Sequence, residues 1–206
     1  MSSRRRGRGR LPETELIAAR AISRRFGDRL ALAPTDFDLR AGETVALIGP
    51  NGAGKSTLLA ILAGALQPTS GTVSAQARVG WVPQRAALYR RLTVRENLDL
   101  FRRLEGSGDV DALLDEFSLP GDVVASALSV GNRQRLNVAI SLLGSPEALL
   151  LDEPTGSLDP EQRVRLWSDL ESLPERGGAI CFVTQHDDEL PRADRVLELR
   201  DGRLVA

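Results

Sequence analysis

Residues Gly49-Pro50-Asn51-Gly52-Ala53-Gly54-Lys55-Ser56, followed by Thr57, carry the strongest chemical signal in the chain. They follow the spacing G-x-x-x-x-G-K-[ST]. Glycines at these positions let backbone N–H groups turn inward around phosphate oxygens, and a following helix adds partial positive charge at its N-terminus. Lys55 then reaches the β- and γ-phosphates of a nucleotide, and the Ser56 hydroxyl supplies a ligand for Mg²⁺. Lys55 is the only lysine among 27 basic residues.

A second signal is Ala148-Leu149-Leu150-Leu151-Asp152-Glu153, an apolar run that ends in two carboxylates. Charges at the C-terminal end of a buried strand sit where ligands bind in α/β sheets. Asp152 is placed to hold Mg²⁺, directly or through water, and Glu153 to act as general base on an attacking water. Taken alone, the pair is also compatible with solvated acids at an ordinary strand end.

These groups need rigid elements to hold them. Thr44–Ile48 is a short apolar run rich in β-branched residues and predicts a buried strand leading into the glycine-rich turn. Lys55 to Leu66 predicts the helix behind it. Short edge-type strands are expected at Leu16 to Ile22 and Phe37 to Leu39, and buried strands at Val79 to Val82, Ala148 to Leu151 and Ile180 to Thr184. A last small strand starts at Val196. Helices are expected from Thr93, with Val94, Leu98, Phe101 and Leu104 on one face, and over Asp109 to Phe117, Gly131 to Leu143 and Pro160 to Leu173. Strand–helix alternation at both ends implies a parallel α/β core. The mainly helical stretch 86–145 is expected as a lobe inserted into it. Residues 1–12 read as a basic, solvated tail, leaving 13–206 as one domain.

Composition narrows the function classes. The 206 residues are 42% hydrophobic and 27% charged, ordinary for a globular chain with one core. A formal net charge of −1 provides no field for nucleic acid, and none is expected as a partner. The single cysteine, Cys181, lies in an apolar run and reads as a buried thiol. No stretch approaches the roughly 18–20 apolar residues that span a bilayer.

Further motifs sit in a fixed order around these two. Leu128-Ser129-Val130-Gly131-Asn132 precedes Arg133-Gln134-Arg135 and opens a helix. Gln84 follows Trp81-Val82-Pro83. Ser157-Leu158-Asp159 follows Glu153-Pro154-Thr155, and Thr184-Gln185-His186 closes a strand, with His186 the only histidine. Phe26 lies about two dozen residues ahead of the glycine-rich loop. Singly, Ser129 reads as a helix N-cap, Gln84 as a turn residue and Phe26 as core. Together they resemble the signature, Q-loop, D-loop, H-loop and adenine-stacking aromatic of the ABC transporter ATP-binding subunits, over roughly residues 15 to 206. The resemblance is greatest to bacterial exporter subunits of the multidrug, haem and polysaccharide type around residues 87–98.

The resemblance implies a fold and a mechanism. The fold is α/β: a P-loop NTPase core with a mainly parallel sheet, an N-terminal antiparallel β subdomain and an inserted helical subdomain. Two copies would close head to tail around two ATP molecules, a homodimer being expected over a heterodimer. Leu128, Ser129, Val130, Gly131 and Asn132 of one copy would face the P-loop of the other. Glu153 and His186 would be catalytic, Phe26 would stack on adenine, and Ser157, Leu158 and Asp159 would couple the two sites. Ser56, Gln84 and Asp152 would hold Mg²⁺. The cargo path would belong to a separate membrane permease, which would hold the subunit on the cytoplasmic face of the cell membrane. Val130 stands where the family usually has Gly, and Asn132 where it has Gln, so a working but weakened trans site is expected. A nucleotide-binding subunit without turnover, a soluble ABC ATPase of translation or DNA repair, and a P-loop kinase are the competing readings.

Overall fold

Three five-residue runs, Thr44–Ile48, Ala148–Asp152 and Ala179–Val183, are buried almost throughout. Strands buried on both faces have no polar alternation to show, and their backbones need partners on both edges. In the computed structural model, which describes residues 14–205, they lie side by side at the centre of one sheet. The Arg-rich segment read as a tail lies outside the described residues.

The elements follow in the order β1 (Glu15–Phe26), β2 (Arg29–Arg40), β3 (Thr44–Ile48), α1 (Lys55–Leu62), β4 (Ser70–Ala75) and β5 (Val79–Val82). Three helices come next: α2 (Val94–Glu105), α3 (Val110–Glu116) and α4 (Val130–Leu142). The chain ends with β6 (Ala148–Asp152), α5 (Pro160–Leu170), α6 (Ser172–Glu175), β7 (Ala179–Val183), β8 (Arg195–Arg200) and β9 (Arg203–Val205). The larger sheet has the order β5-β6-β7-β3-β8-β9 and is parallel except at β9. The smaller is antiparallel, in the order β2-β1-β4. This is the α/β arrangement with a mainly parallel sheet and an N-terminal antiparallel sheet that the sequence implied.

The period of two along the central strands divides the core. Ala46, Leu149, Leu151, Ile180 and Phe182 point to one face, where α4, α5 and the inserted helices pack. Val45, Leu47, Leu150, Cys181 and Val183 point to the other, against α1 and the antiparallel sheet. Trp167 of α5 meets Phe182 edge to face at 4.7 Å between centroids, a favoured aromatic geometry. Burial pushes the Cys181 thiol up to about 12, so it stays protonated and inert.

The helices start and stop for local reasons. Thr93 and Glu96 form a reciprocal capping box at the start of α2, and Gly106 closes it in a left-handed turn. Leu104 was expected on the buried face but is 70% exposed. At about 100° per residue it sits roughly 85° from the stripe set by Val94, Leu98 and Phe101. α1 ends at Leu62 rather than Leu66 because Gly64 takes a φ of 73° and turns the chain. The helix expected through Leu173 divides into α5 and α6, since Pro174 has no N–H to give the carbonyl of Leu170. β1 and β2 are twelve residues each, longer than the short strands expected, and β1 bulges where Ala21 has a φ of 48°. β4 and β9 were not foreseen.

Candidate functional site

Strand order alone gathers the chemistry. β5, β6, β7 and β3 are parallel neighbours, with Val82 opposite Leu151, Asp152 opposite Val183, and Leu47 opposite Val183. Their C-terminal ends therefore lie along one edge. The residues that follow are Gln84 after β5, Glu153 after β6, Thr184-Gln185-His186 after β7 and the glycine-rich loop after β3. This is the sheet edge where ligands bind in α/β folds.

The loop from Gly49 to Gly54 is shaped by glycine at two close approaches. Gly49 has a φ of 136°, and a Cβ there would lie 2.0 Å from the Leu199 carbonyl oxygen. Gly54 has a φ of 106°, and its Cβ would lie 2.5 Å from the Ala31 oxygen. No side chain caps α1, so its first N–H groups are left for an anion. Pro50 accepts from the Ala53 N–H at 3.2 Å. The Lys55 ammonium, 6% exposed, donates to the carbonyls of Gly49 at 2.6 Å and Pro50 at 3.1 Å.

A cleft of about 550 Å³ opens over this loop. Phe26, Asn51, Gly52, Gly54, Lys55, Ser56, Thr57, Gln84 and Glu153 all line it, so the structure brings these sequence-selected residues together. Phe26 is 48% exposed at the end of β1, with the Arg24 guanidinium 4.7 Å over its ring; it is not a core residue. His186 lines an adjoining cleft of about 140 Å³ with Glu153 and Thr155.

Glu153 has the left-handed φ of 49°, uncommon for a residue with a side chain. Its carboxylate accepts from the Gln84 amide at 2.9 Å on one oxygen and from the Gln185 amide at 2.7 Å on the other. Asp152 is buried, and its Oδ1 has no hydrogen-bond partner. Burial raises its carboxyl above the ordinary range; the Ser56 hydroxyl and Lys55 oppose the rise and Glu153 adds to it.

None of Leu128–Asn132 lines the nucleotide-sized cleft of the same chain. Val130, 47% exposed, borders a separate groove of about 370 Å³ with Gln84, Arg133 and Ser157. Ser129 caps α4, accepting from the Asn132 N–H at 3.1 Å. Val130 is the first helical residue and is absent from the positive-φ positions, so the β-branched side chain costs no backbone strain there. At Gly131 a Cβ would lie 2.8 Å from Gln162 Oε1 on α5, the end of a flexible side chain that would have to shift. Asp159 caps α5, accepting from the Gln162 N–H at 2.9 Å. Gln185 was noted in the sequence only as a neighbour of His186. Its type gave no signal, since its partners lie far away in the chain.

Comparison with known proteins gives consistent results. The ABC transporter family model matches residues 32–156. The Nod factor export ATP-binding protein I of Burkholderia lata is 39% identical over 92% of this chain and 69% of that protein. The daunorubicin resistance ATP-binding protein DrrA3 of Streptomyces coeruleorubidus is 36% identical over 92% and 67%. Among solved structures, a bacterial ABC transporter cassette determined as a dimer aligns with a TM-score of 0.85 and 25% identity, over 92% of this chain and 97% of that one. An ATP-binding subunit of an ABC transporter aligns with a TM-score of 0.83 and 26% identity, over 93% and 88%.

Proposed function

Since the chain belongs to the ABC transporter family and is an ATP-binding ATPase of it, we propose that it energises a separate membrane permease, working in export, through ATP sites shared between two copies. The observation that carries this reading is the convergence of four strand-end loops on one cleft while Leu128–Asn132 stay outside it. A γ-phosphate held by Lys55 has the signature of the same chain on another surface, so a second copy is the natural source of the missing face. Export is supported by relatives named for Nod factor export and daunorubicin resistance. Among the described residues no helix is long and apolar enough to cross a membrane, which fits peripheral attachment through a permease on the cytoplasmic side.

The residues fit Mg²⁺. Asp152 Oδ1 is a buried oxygen without a partner, the Ser56 hydroxyl acts on the same carboxyl, and hard cations take such oxygen donors. Ser56, Asp152 and Gln84 would hold the ion, which neutralises charge on the β- and γ-phosphates. Phe26 stacks on the adenine, and Lys55 with the loop N–H groups holds the phosphate chain. Glu153 takes a proton from a water as its oxygen attacks the γ-phosphorus. The bond from phosphorus to the β,γ-bridging oxygen breaks, ADP keeps the electron pair, and inorganic phosphate forms. His186, in the adjoining cleft beside Glu153, would have to turn toward the nucleotide cleft to hold the γ-phosphate side, and Ser129 and the Gly131 N–H of the second copy complete the shell. Asp159 couples the paired sites, and hydrolysis releases the closed dimer.

Asp152→Asn separates stability from chemistry. The raised carboxyl means that its ionised form opposes folding once the pH rises above the ordinary carboxylate range. The amide removes that charge, so at pH 8 the variant is expected to melt at or above the wild-type temperature. Mg²⁺-dependent turnover is expected to fall at least about a hundredfold. Melting curves and phosphate release check the two halves, and a fully active variant would remove Asp152 from the ion site. The reading as a whole is tested by phosphate release from Mg²⁺-ATP by the purified chain.

A further inference from the structure

Gln185 joins two parts of the site that the chain places far apart. Its Nε2 donates to Glu153 Oε1 at 2.7 Å and to Asn51 Oδ1 at 3.1 Å. A carboxamide nitrogen has two N–H groups, so both bonds form at once, and a carboxylate only accepts, which fixes which end of the amide faces it. The other Glu153 oxygen accepts from Gln84 Nε2 at 2.9 Å. The carboxylate is thus gripped on both sides by neutral donors. Each oxygen keeps a further lone pair for a water.

The segment that carries Gln185 is itself anchored. Glu189, 2% exposed, accepts from the Trp167 indole N–H at 3.0 Å and from the Thr184 hydroxyl at 2.5 Å. Thr184 Oγ1 in turn accepts from the His186 N–H at 3.0 Å. A free glutamate side chain loses up to about 2 kcal/mol of rotamer entropy when fixed in one arrangement. Here a preset amide restricts it and refers its position to Asn51, on the loop that takes the phosphates. We infer that Gln185 is a positioning residue for ATP hydrolysis: it aims the Glu153 carboxylate by tying it to the glycine-rich loop.

This rests on Glu153 being the base of an ATPase. Gln185→Ala is expected to lower kcat about tenfold while KM for ATP stays within about twofold, because aim is lost and phosphate binding is not. Gln185→Glu has the same shape but no donor toward a carboxylate, and its kcat should fall at least as far. Gln185→Lys keeps a donor and should retain a kcat clearly above that of the alanine variant. A kcat for Gln185→Ala equal to wild type overturns the inference. So does a change confined to KM, or a Gln185→Glu that works normally. Wild-type turnover measured alongside separates the two levels: an inactive wild type overturns the ATPase reading and this inference with it, and an unaffected Gln185→Ala overturns this inference alone.

Discussion

Replacing Glu153 by Gln is expected to reduce kcat about a hundred- to a thousandfold and to leave ATP binding within a few-fold of wild type. The substitution keeps the size of the side chain, removes its ability to take a proton, and leaves only one of its two ends able to accept from Gln84 or Gln185. General-base catalysis contributes about 10²–10⁴ in rate, and the carboxylate is placed for it. It stands at the end of β6 on a left-handed backbone, held between the amides of Gln84 and Gln185 at 2.9 and 2.7 Å. Binding rests on other groups: the loop N–H groups, Lys55 and Phe26 around the same cleft. Steady-state phosphate release and a titration with a fluorescent ATP analogue measure the two effects. A loss below tenfold would move the base elsewhere, with His186 the first alternative.

Gly49→Ala is expected to cost about 3–5 kcal/mol of folding stability, a large share of the roughly 5–15 kcal/mol that a domain has. Two causes act together. The added Cβ would lie 2.0 Å from the Leu199 carbonyl oxygen on β8, a backbone atom that cannot swing aside. A φ of 136° is also a region that L side chains avoid. Gly52→Ala provides the internal comparison. Its φ of 79° is also left-handed, but the nearest atom to its Cβ is the Arg29 guanidinium at 3.6 Å. That variant carries the backbone penalty alone, about 1 kcal/mol. Urea unfolding of both variants checks the ranking, and equal losses would show that the β8 contact does not constrain the loop.

The sequence disclosed most where chemistry is local. The glycine-rich loop needs particular residue types within eight positions, and an acidic pair after a run of leucines has few structural reasons to exist. The central strands were legible because burial on both faces leaves short, nearly continuous apolar runs. Two of the edge strands, β4 and β9, were not. β4 is Ser70–Ala75, polar and mostly exposed, and it is a strand only because β1 pairs with it. β9 is made in the same way by β8. The early end of α1 turned on Gly64, whose meaning depended on a conformation rather than on a pattern. Val130, in a position where the family usually has Gly, starts a helix and is not among the positive-φ residues. Gln185 was hidden for the plainest reason: it bonds Asn51 across 134 positions and Glu153 across 32.

The most direct test of the account is the initial rate of phosphate release from Mg²⁺-ATP by the purified chain, measured over a range of protein concentrations. A site completed by a second copy predicts a rate per chain that climbs with concentration and then levels, and that vanishes when Mg²⁺ is chelated. A folded chain that releases no phosphate at any concentration, or one whose rate per chain is the same at every dilution, would contradict it.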